Sequence, residues 1–178
     1  MKKGKVILNL AMSLDGFIAD ENGGYNWIKG QGDNSLDHGP KYDHQLFLKD
    51  IDIIVMGRKS FNEEVLKEYG NKEIYVASSK EGNKYPQVTW FRENIVEAVV
   101  KARSAGKNIY LFGGGLLVDN FLKAQIIDEY IIGLIPMILG QGRPLFSGGF
   151  LPVPLKLDEF QLEDGIMILR YSKRQGDY

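Results

Sequence analysis

Three glycines stand where an apolar run of strand character gives way to one of helical spacing: Ile109-Tyr110-Leu111-Phe112, then Gly113-Gly114-Gly115, then residues 116–122. A strand that enters a helix through residues without side chains exposes the first amide N–H groups of that helix. Those donors, aligned with the helix dipole, bind anions, most often phosphate. The same glycines also fit a tight turn with nothing bound. Two other strand ends have related chemistry. Met56-Gly57-Arg58-Lys59-Ser60 breaks an apolar run at glycine and adds two cations and a hydroxyl, and Ala77-Ser78-Ser79-Lys80 offers hydroxyls and an ammonium. Each alone is explained equally well as a turn, a cap or a solvated face. Three such strand ends in one small chain point to an extended ligand with several phosphates, such as a dinucleotide.

The elements that must position these groups alternate. Strands are predicted over 6–12, 51–56, 73–77, 88–91, 109–112 and 129–136, with helices over 41–49, 59–68, 95–105 and 116–124. Asn94 is placed to cap the third helix and Gly106 to end it. Runs at 155–162 and 166–171 flank Glu163-Asp164-Gly165, the signal of a hairpin. The pattern predicts an α/β fold, a mostly parallel central sheet covered on both faces and finished by a C-terminal antiparallel hairpin. Residues 1–178 read as a single domain without repeats or linkers. The segment 19–40 is too long for a mere connection and reads as an active-site loop or lid.

Composition narrows the function classes. With 178 residues, 44% apolar and 25% charged, the chain can bury a substantial core. A net charge of −1 gives no electrostatic footprint for nucleic acid or an anionic membrane. The absence of cysteine removes disulfides, thiolate metal sites and a cysteine nucleophile, and it fits a reducing cytoplasm. His38 and His44 read as surface residues rather than zinc ligands, so no metal is expected. The N-terminal run is interrupted by Asn9 and is neither a signal peptide nor a membrane span.

Further motifs occur in a recognisable order. Met12-Ser13-Leu14-Asp15-Gly16-Phe17-Ile18-Ala19 comes first, then Val55-Met56-Gly57-Arg58-Lys59-Ser60-Phe61, Ser78-Ser79 and Gly113-Gly114-Gly115. Asp128-Glu129, Pro136, Gly140-Gln141-Gly142 and Pro144-Leu145-Phe146 complete the set. Over nearly the whole chain this resembles the dihydrofolate reductase superfamily. Within it, the chain is similar to the branch that includes the C-terminal reductase domain of the bifunctional riboflavin-biosynthesis deaminase–reductase. The resemblance implies a dihydrofolate reductase-like three-layer α/β/α architecture, NADPH as cofactor and hydride transfer as chemistry. It places Gly57, Arg58, Lys59 and Ser60 on the adenosine-side phosphates, Ser78 and Ser79 beside the 2′-phosphate, and Gly113, Gly114 and Gly115 under the pyrophosphate. Ala11 and Ile18, next to Ala19, would flank the nicotinamide carboxamide through their backbone groups. The family often has a cation after the glycines; here that position is Leu116.

The resemblance also bears on the substrate. Dihydrofolate reductases bind the pterin through an acid on the first helix, one turn before an aromatic. Asp43, four residues before Phe47, matches that spacing, and a solvent-facing aspartate matches it equally. Trp27 stands in Gly24-Tyr25-Asn26-Trp27, where folate enzymes carry a Met-Pro-Trp-type segment. Asp15 either lines the substrate site or caps the turn at Gly16, the second being preferred. Arg143 either meets a substrate phosphate or lies on a surface loop. Glu63, Glu64 and Glu68 would repel a folate glutamate tail. The expectation is therefore an NADPH-dependent oxidoreductase of a small pyrimidine- or pterin-type heterocycle, similar to 5-amino-6-(5-phosphoribosylamino)uracil reductases. A true dihydrofolate reductase and a non-catalytic nucleotide-binding module are the alternatives. The branch implies a homodimer, with the 129–136 strand and Met137-Ile138-Leu139 as candidate seam.

Overall fold

Short runs of branched and aromatic residues form the sheet because their alternate side chains enter two separate cores. The structure, a computed structural model, describes residues 2–174. Its elements are β1 (Val6–Ser13), β2 (Phe17–Ala19), α1 (His44–Lys49), β3 (Ile53–Gly57), α2 (Glu63–Tyr69), β4 (Glu73–Ala77), β5 (Val88–Phe91), α3 (Ile95–Ser104), β6 (Ile109–Gly113), α4 (Gly115–Lys123), β7 (Glu129–Ile135), β8 (Arg143–Pro144), β9 (Leu155–Glu163) and β10 (Ile166–Lys173). Eight strands make one sheet in the order β5-β4-β3-β6-β1-β7-β10-β9. From β5 to β7 all neighbours are parallel, and β10 and β9 close the sheet antiparallel.

The two cores make the three layers. Val6, Leu8, Ile53, Val55, Ile109 and Leu111 point to the face covered by α3 and α4, where Val99, Val118 and Phe121 meet them. Ile7, Ile54, Met56 and Tyr110 point to the other face, under Leu48 of α1 and Val65 and Tyr69 of α2. The α/β/α expectation is met. No helix among the described residues is long and apolar enough to cross a membrane.

Local details depart from the sequence pattern. The helix expected over 59–68 splits into one 3-10 turn, Arg58–Ser60, and α2. Phe61 between them is extended and buried, and the Asn62 side chain accepts from the Val65 N–H at 2.9 Å, so the favoured N-cap sits four residues later than the pattern implied. Asn94 does precede α3, but it is left-handed at φ 61° and its side chain makes no capping bond. α1 begins only at His44, because Asp43 caps it. β7 lies between β1 and β10 with both backbone edges paired, so it offers no open seam; Met137 and Ile138 beyond it are exposed.

The loop between β2 and α1 is strapped down over its distal half. Asp164, in the Asp164-Gly165 turn of the β9–β10 hairpin, accepts from the Gly32 and Asp33 N–H groups through Oδ1, at 2.6 and 3.0 Å. Its carbonyl accepts from Gln31, and its own N–H donates to Asp37 Oδ1. His38 then pairs with Leu162 and stacks on Phe160 at 5.4 Å. Asp164 and Gly165 both have positive φ, the geometry of a type I′ hairpin.

At the opposite end of the sheet, Asp128 joins three elements. Its carboxylate accepts from the Val6 N–H at 2.8 Å and from the Arg103 guanidinium at the end of α3, just before β7 begins. Asp128→Ala strands a guanidinium whose side chain is 14% exposed. It is expected to destabilise the fold by about 2 kcal/mol, seen as a lower urea midpoint with unchanged denaturant dependence.

Candidate functional site

Register, more than any single residue, builds the site. β6, β3, β4 and β5 are adjacent, and their carboxyl ends are level: Gly113 lies opposite Met56, Gly57 opposite Ala77, and Ala77 opposite Phe91. Gly113–Gly115, Arg58, Ser78 and Arg92 therefore leave the sheet along one edge. At roughly 4.8 Å per strand, three gaps span about 14 Å, enough for several phosphate-sized groups in a row. In β6 the register slips, with Leu111 opposite Val55 but Gly113 opposite Met56, so Phe112 is an extra residue and the strand end is bent. Gly113 (φ 127°) and Gly114 (φ 93°) hold backbone conformations that side chains disfavour. α4 then starts with no side-chain cap and no acidic residue in its first turn, which leaves its leading amides as donors towards this edge.

Arg58 folds back over its own turn. Its guanidinium lies 5.4 Å from the Trp90 ring centroid, and Nη1 donates to the Phe61 carbonyl at 3.4 Å. Lys59 is exposed beside it and Ser60 is half-buried. The Ser78 N–H continues the ladder to the Phe91 carbonyl. Its hydroxyl donates to the Lys80 carbonyl and accepts from the Lys80 N–H, which shapes a turn that leaves Ser79 and Lys80 exposed. Arg92 extends the row at the end of β5 and pairs with Glu81 at 3.5 Å. Sequence reading missed Arg92 and Trp90. The strand ends after β3, β4 and β6 carry glycine or serine, whereas β5 ends without either and only its place in the sheet brings it into line.

A second group of predicted residues forms a brace beside this edge. Ala11 lies on β1, and Ile18 and Ala19 on β2, which pairs with β8 through Ala19 and Arg143. Asp15 accepts from the Ser13 hydroxyl at 2.6 Å and from the Leu139 and Gly140 N–H groups at 3.1 and 2.7 Å. The Gly16 turn is capped instead by the Ser13 hydroxyl, which accepts from the Phe17 N–H. Both Asp15 oxygens thus fasten the loop after β7, while the residue itself stays exposed. That loop comes so close that a Cβ on Gly142 would lie 2.3 Å from the Ala19 carbonyl oxygen, and one on Gly115 would lie 2.4 Å from that of Pro144. Arg143 is half-buried with its guanidinium packed under Gly23.

Asp43 is exposed, and its Oδ1 accepts from the Leu46 N–H at 2.9 Å. Phe47 faces inward and meets Tyr110 edge-on at 5.1 Å. His44 is half-buried rather than superficial. It stacks on Phe47 at 5.7 Å, and its Nε2 lies 3.2 Å from the Tyr69 hydroxyl. Burial lowers the His44 pKa and raises those of Tyr42, Tyr69 and Tyr110. Beneath them, buried Asn9 donates to the Tyr42 hydroxyl at 2.5 Å. This aromatic wall under α1 was not foreseen, because its members are scattered from Tyr42 to Tyr110 in the sequence. Trp27 folds the loop on itself by donating to the Gly24 carbonyl at 3.2 Å. Among the described residues no three His, Asp or Glu side chains converge as metal ligands.

The chain is similar in sequence and fold to known proteins. The family model described as the RibD C-terminal domain matches residues 4–88 and 65–166. YyaP of Bacillus subtilis (strain 168), itself uncharacterised, is 33% identical over 162 residues, 82% of this chain and 82% of that one. A crystal structure from Shewanella sp. PV-4, provisionally named a riboflavin biosynthesis protein, matches with a TM-score of 0.75 at 25% identity, over 96% of this chain and 99% of that one. A Thermotoga maritima diaminohydroxyphosphoribosylaminopyrimidine deaminase/5-amino-6-(5-phosphoribosylamino)uracil reductase shares the fold, with a TM-score of 0.67 at 18% identity over 97% of this chain and 57% of its own.

The Ser13 hydroxyl and two amides hold the Asp15 carboxyl below the usual carboxylate range. A lowered folded value means that the charged form stabilises the fold above the unfolded pKa, and that this is lost as pH falls through the folded one. Asp15→Asn should therefore be less stable than the wild type at neutral pH, with the gap in urea midpoint closing below roughly pH 4.

Proposed function

The chain belongs to the RibD C-terminal domain family, and from that premise we propose that it is an NADPH-dependent oxidoreductase acting on a small heterocycle of pyrimidine or pterin type. The observation that carries this reading is the level row of anion-friendly strand ends from β6 to β5. The donor set fits a dinucleotide phosphate. Two glycines at positive φ and an uncapped helix start suit a pyrophosphate, and a guanidinium with two serines suits a further phosphate on the adenosine ribose. When bound, NADPH supplies the hydride.

The chain's own residues then bind and orient. Gly113, Gly114 and Gly115 would receive the pyrophosphate on backbone N–H groups. Arg58, Ser78 and Ser79, with Lys59 and Ser60 alongside, would hold the phosphate that distinguishes NADPH from NADH. The backbones of Ala11, Ile18 and Ala19 would face the carboxamide. Phe47, half-buried and backed by the ring cluster beneath α1, would be the face on which a flat heterocycle stacks. Asp43 fixes the start of α1 through Oδ1, and Oδ2 is the oxygen through which it would deliver a proton. Trp27 and Arg143, on the loop and under it, would close the substrate side, Arg143 towards an acidic group. The Thermotoga maritima relative is named for reducing a phosphorylated aminopyrimidine, and that is the substrate class we assign here.

Calorimetric titration is expected to show NADPH binding with NADH at least about tenfold weaker. Arg58→Ala should weaken NADPH by about 10- to 100-fold, the loss of a charge-assisted contact, and leave NADH nearly unchanged. Absence of NADPH binding would overturn the assignment. We also infer a homodimer in the cytoplasm. The outer strand β9 exposes Leu155, Leu157 and Phe160, which stand opposite Lys173, Tyr171 and Leu169 and so share one face. Static light scattering at micromolar concentration should give twice the chain mass, reduced towards the single-chain value by Leu157→Asp.

A further inference from the structure

We propose that Trp90 is a positioning residue for the adenosine-ribose phosphate. In this role its indole holds together the two halves of that subsite, Arg58 after β3 and the serine loop after β4, without itself touching the phosphate. The inference rests on the cofactor reading above and goes beyond it.

Arg58 needs such a support. It is exposed, on a single 3-10 turn of three residues, and no helix fixes its long side chain. Met56, Val76 and Trp90 stand opposite one another across β3, β4 and β5, so the indole lies on the α1/α2 face just before the edge where Arg58 turns. The guanidinium lies over that ring at 5.4 Å, within the range of a cation–π contact, and the Phe61 carbonyl takes one of its N–H groups. Phe61 in turn meets Trp90 edge-on, with centroids 5.1 Å apart and planes at 77°. Arg58, Phe61 and Trp90 form one packed unit.

The same ring also holds the other half. Trp90 Nε1 donates to the Asn83 carbonyl at 3.0 Å. Gly82 lies so close to the indole that an added Cβ would sit 2.0 Å from Cζ2. Asn83 and Gly82 belong to the segment that starts with Ser78, Ser79 and Lys80, so the indole sets how that segment leaves β4. A ring tied to both halves fixes the spacing between guanidinium and hydroxyls. A tetrahedral dianion is recognised by that spacing, whereas an unphosphorylated ribose is indifferent to it.

The test compares adenosine 2′,5′-bisphosphate with adenosine 5′-monophosphate by calorimetry on the wild type, Trp90→Phe and Trp90→Leu, with thermal melts to confirm folding. The wild type should prefer the bisphosphate. Trp90→Leu, which keeps apolar bulk but removes the ring, should lose about tenfold in bisphosphate affinity and less than about twofold in monophosphate affinity; Trp90→Phe, which keeps a ring under Arg58 but loses the bond to Asn83, should fall between the wild type and Trp90→Leu. An undiminished preference in Trp90→Leu, or an equal loss for both probes, overturns the role of Trp90. A wild type without preference overturns the cofactor reading instead. Should Trp90→Leu fail to fold, Arg58→Lys keeps the charge but not the planar stack and should lose the preference likewise; full retention there overturns the proposal.

Discussion

The approach of two backbone segments from distant parts of the chain sets the shape of everything at the carboxyl edge of the sheet. The loop after β7 is drawn onto the turn between β1 and β2 by the Asp15 carboxylate, and onto the start of α4 by contact with Gly115. The buried Asp119 of α4 completes the attachment by accepting from the Ser147 N–H. Charge-assisted bonds from a carboxylate to amides are short and directional. They fix a loop that has few buried side chains of its own, and the glycines at 115 and 142 are what allow contact at that range. Without this brace, β2 and the glycine turn would have no common reference.

The sheet contributes the other constraint. Parallel strands in register finish at one level, so whatever follows each strand is delivered to one line. Four consecutive strand ends then supply amides, a guanidinium, hydroxyls and another guanidinium, and the β6 bulge aims the first of them. The opposite end of the sheet is fastened where β1 and β7 begin, by the Asp128–Arg103 pair.

Much of this was readable from residue types. Alternation of Val, Ile and Leu gave the strands, the Asp-Gly pair gave the hairpin, and the glycine or serine at three strand ends marked most of the row that lines the carboxyl edge. Features without a local signature escaped. Arg92 is one charge among many until β5 is known to lie beside β4. Asp15 looks like a turn residue because its partners, Leu139 and Gly140, are more than 120 positions away. His44 looks superficial in a polar stretch, yet the packing of α1 turns it towards Phe47 and Tyr69. The helix boundary near Phe61 moved for a related reason: burial of that ring against Trp90 outweighs helical propensity, and Asn62 then supplies a better start.

The strap between the β9–β10 turn and the distal half of the long loop bears on the entropy of the chain. A loop of that length would ordinarily lose a large conformational entropy when a ligand orders it. Here residues 31–38 are ordered when the hairpin docks, and Asp164 serves as the anchor. The stretch around Trp27 is held as well, by bonds between Asp20 and Gly24 and by the Trp27 indole, so most of the entropy of ordering the loop is incurred in folding.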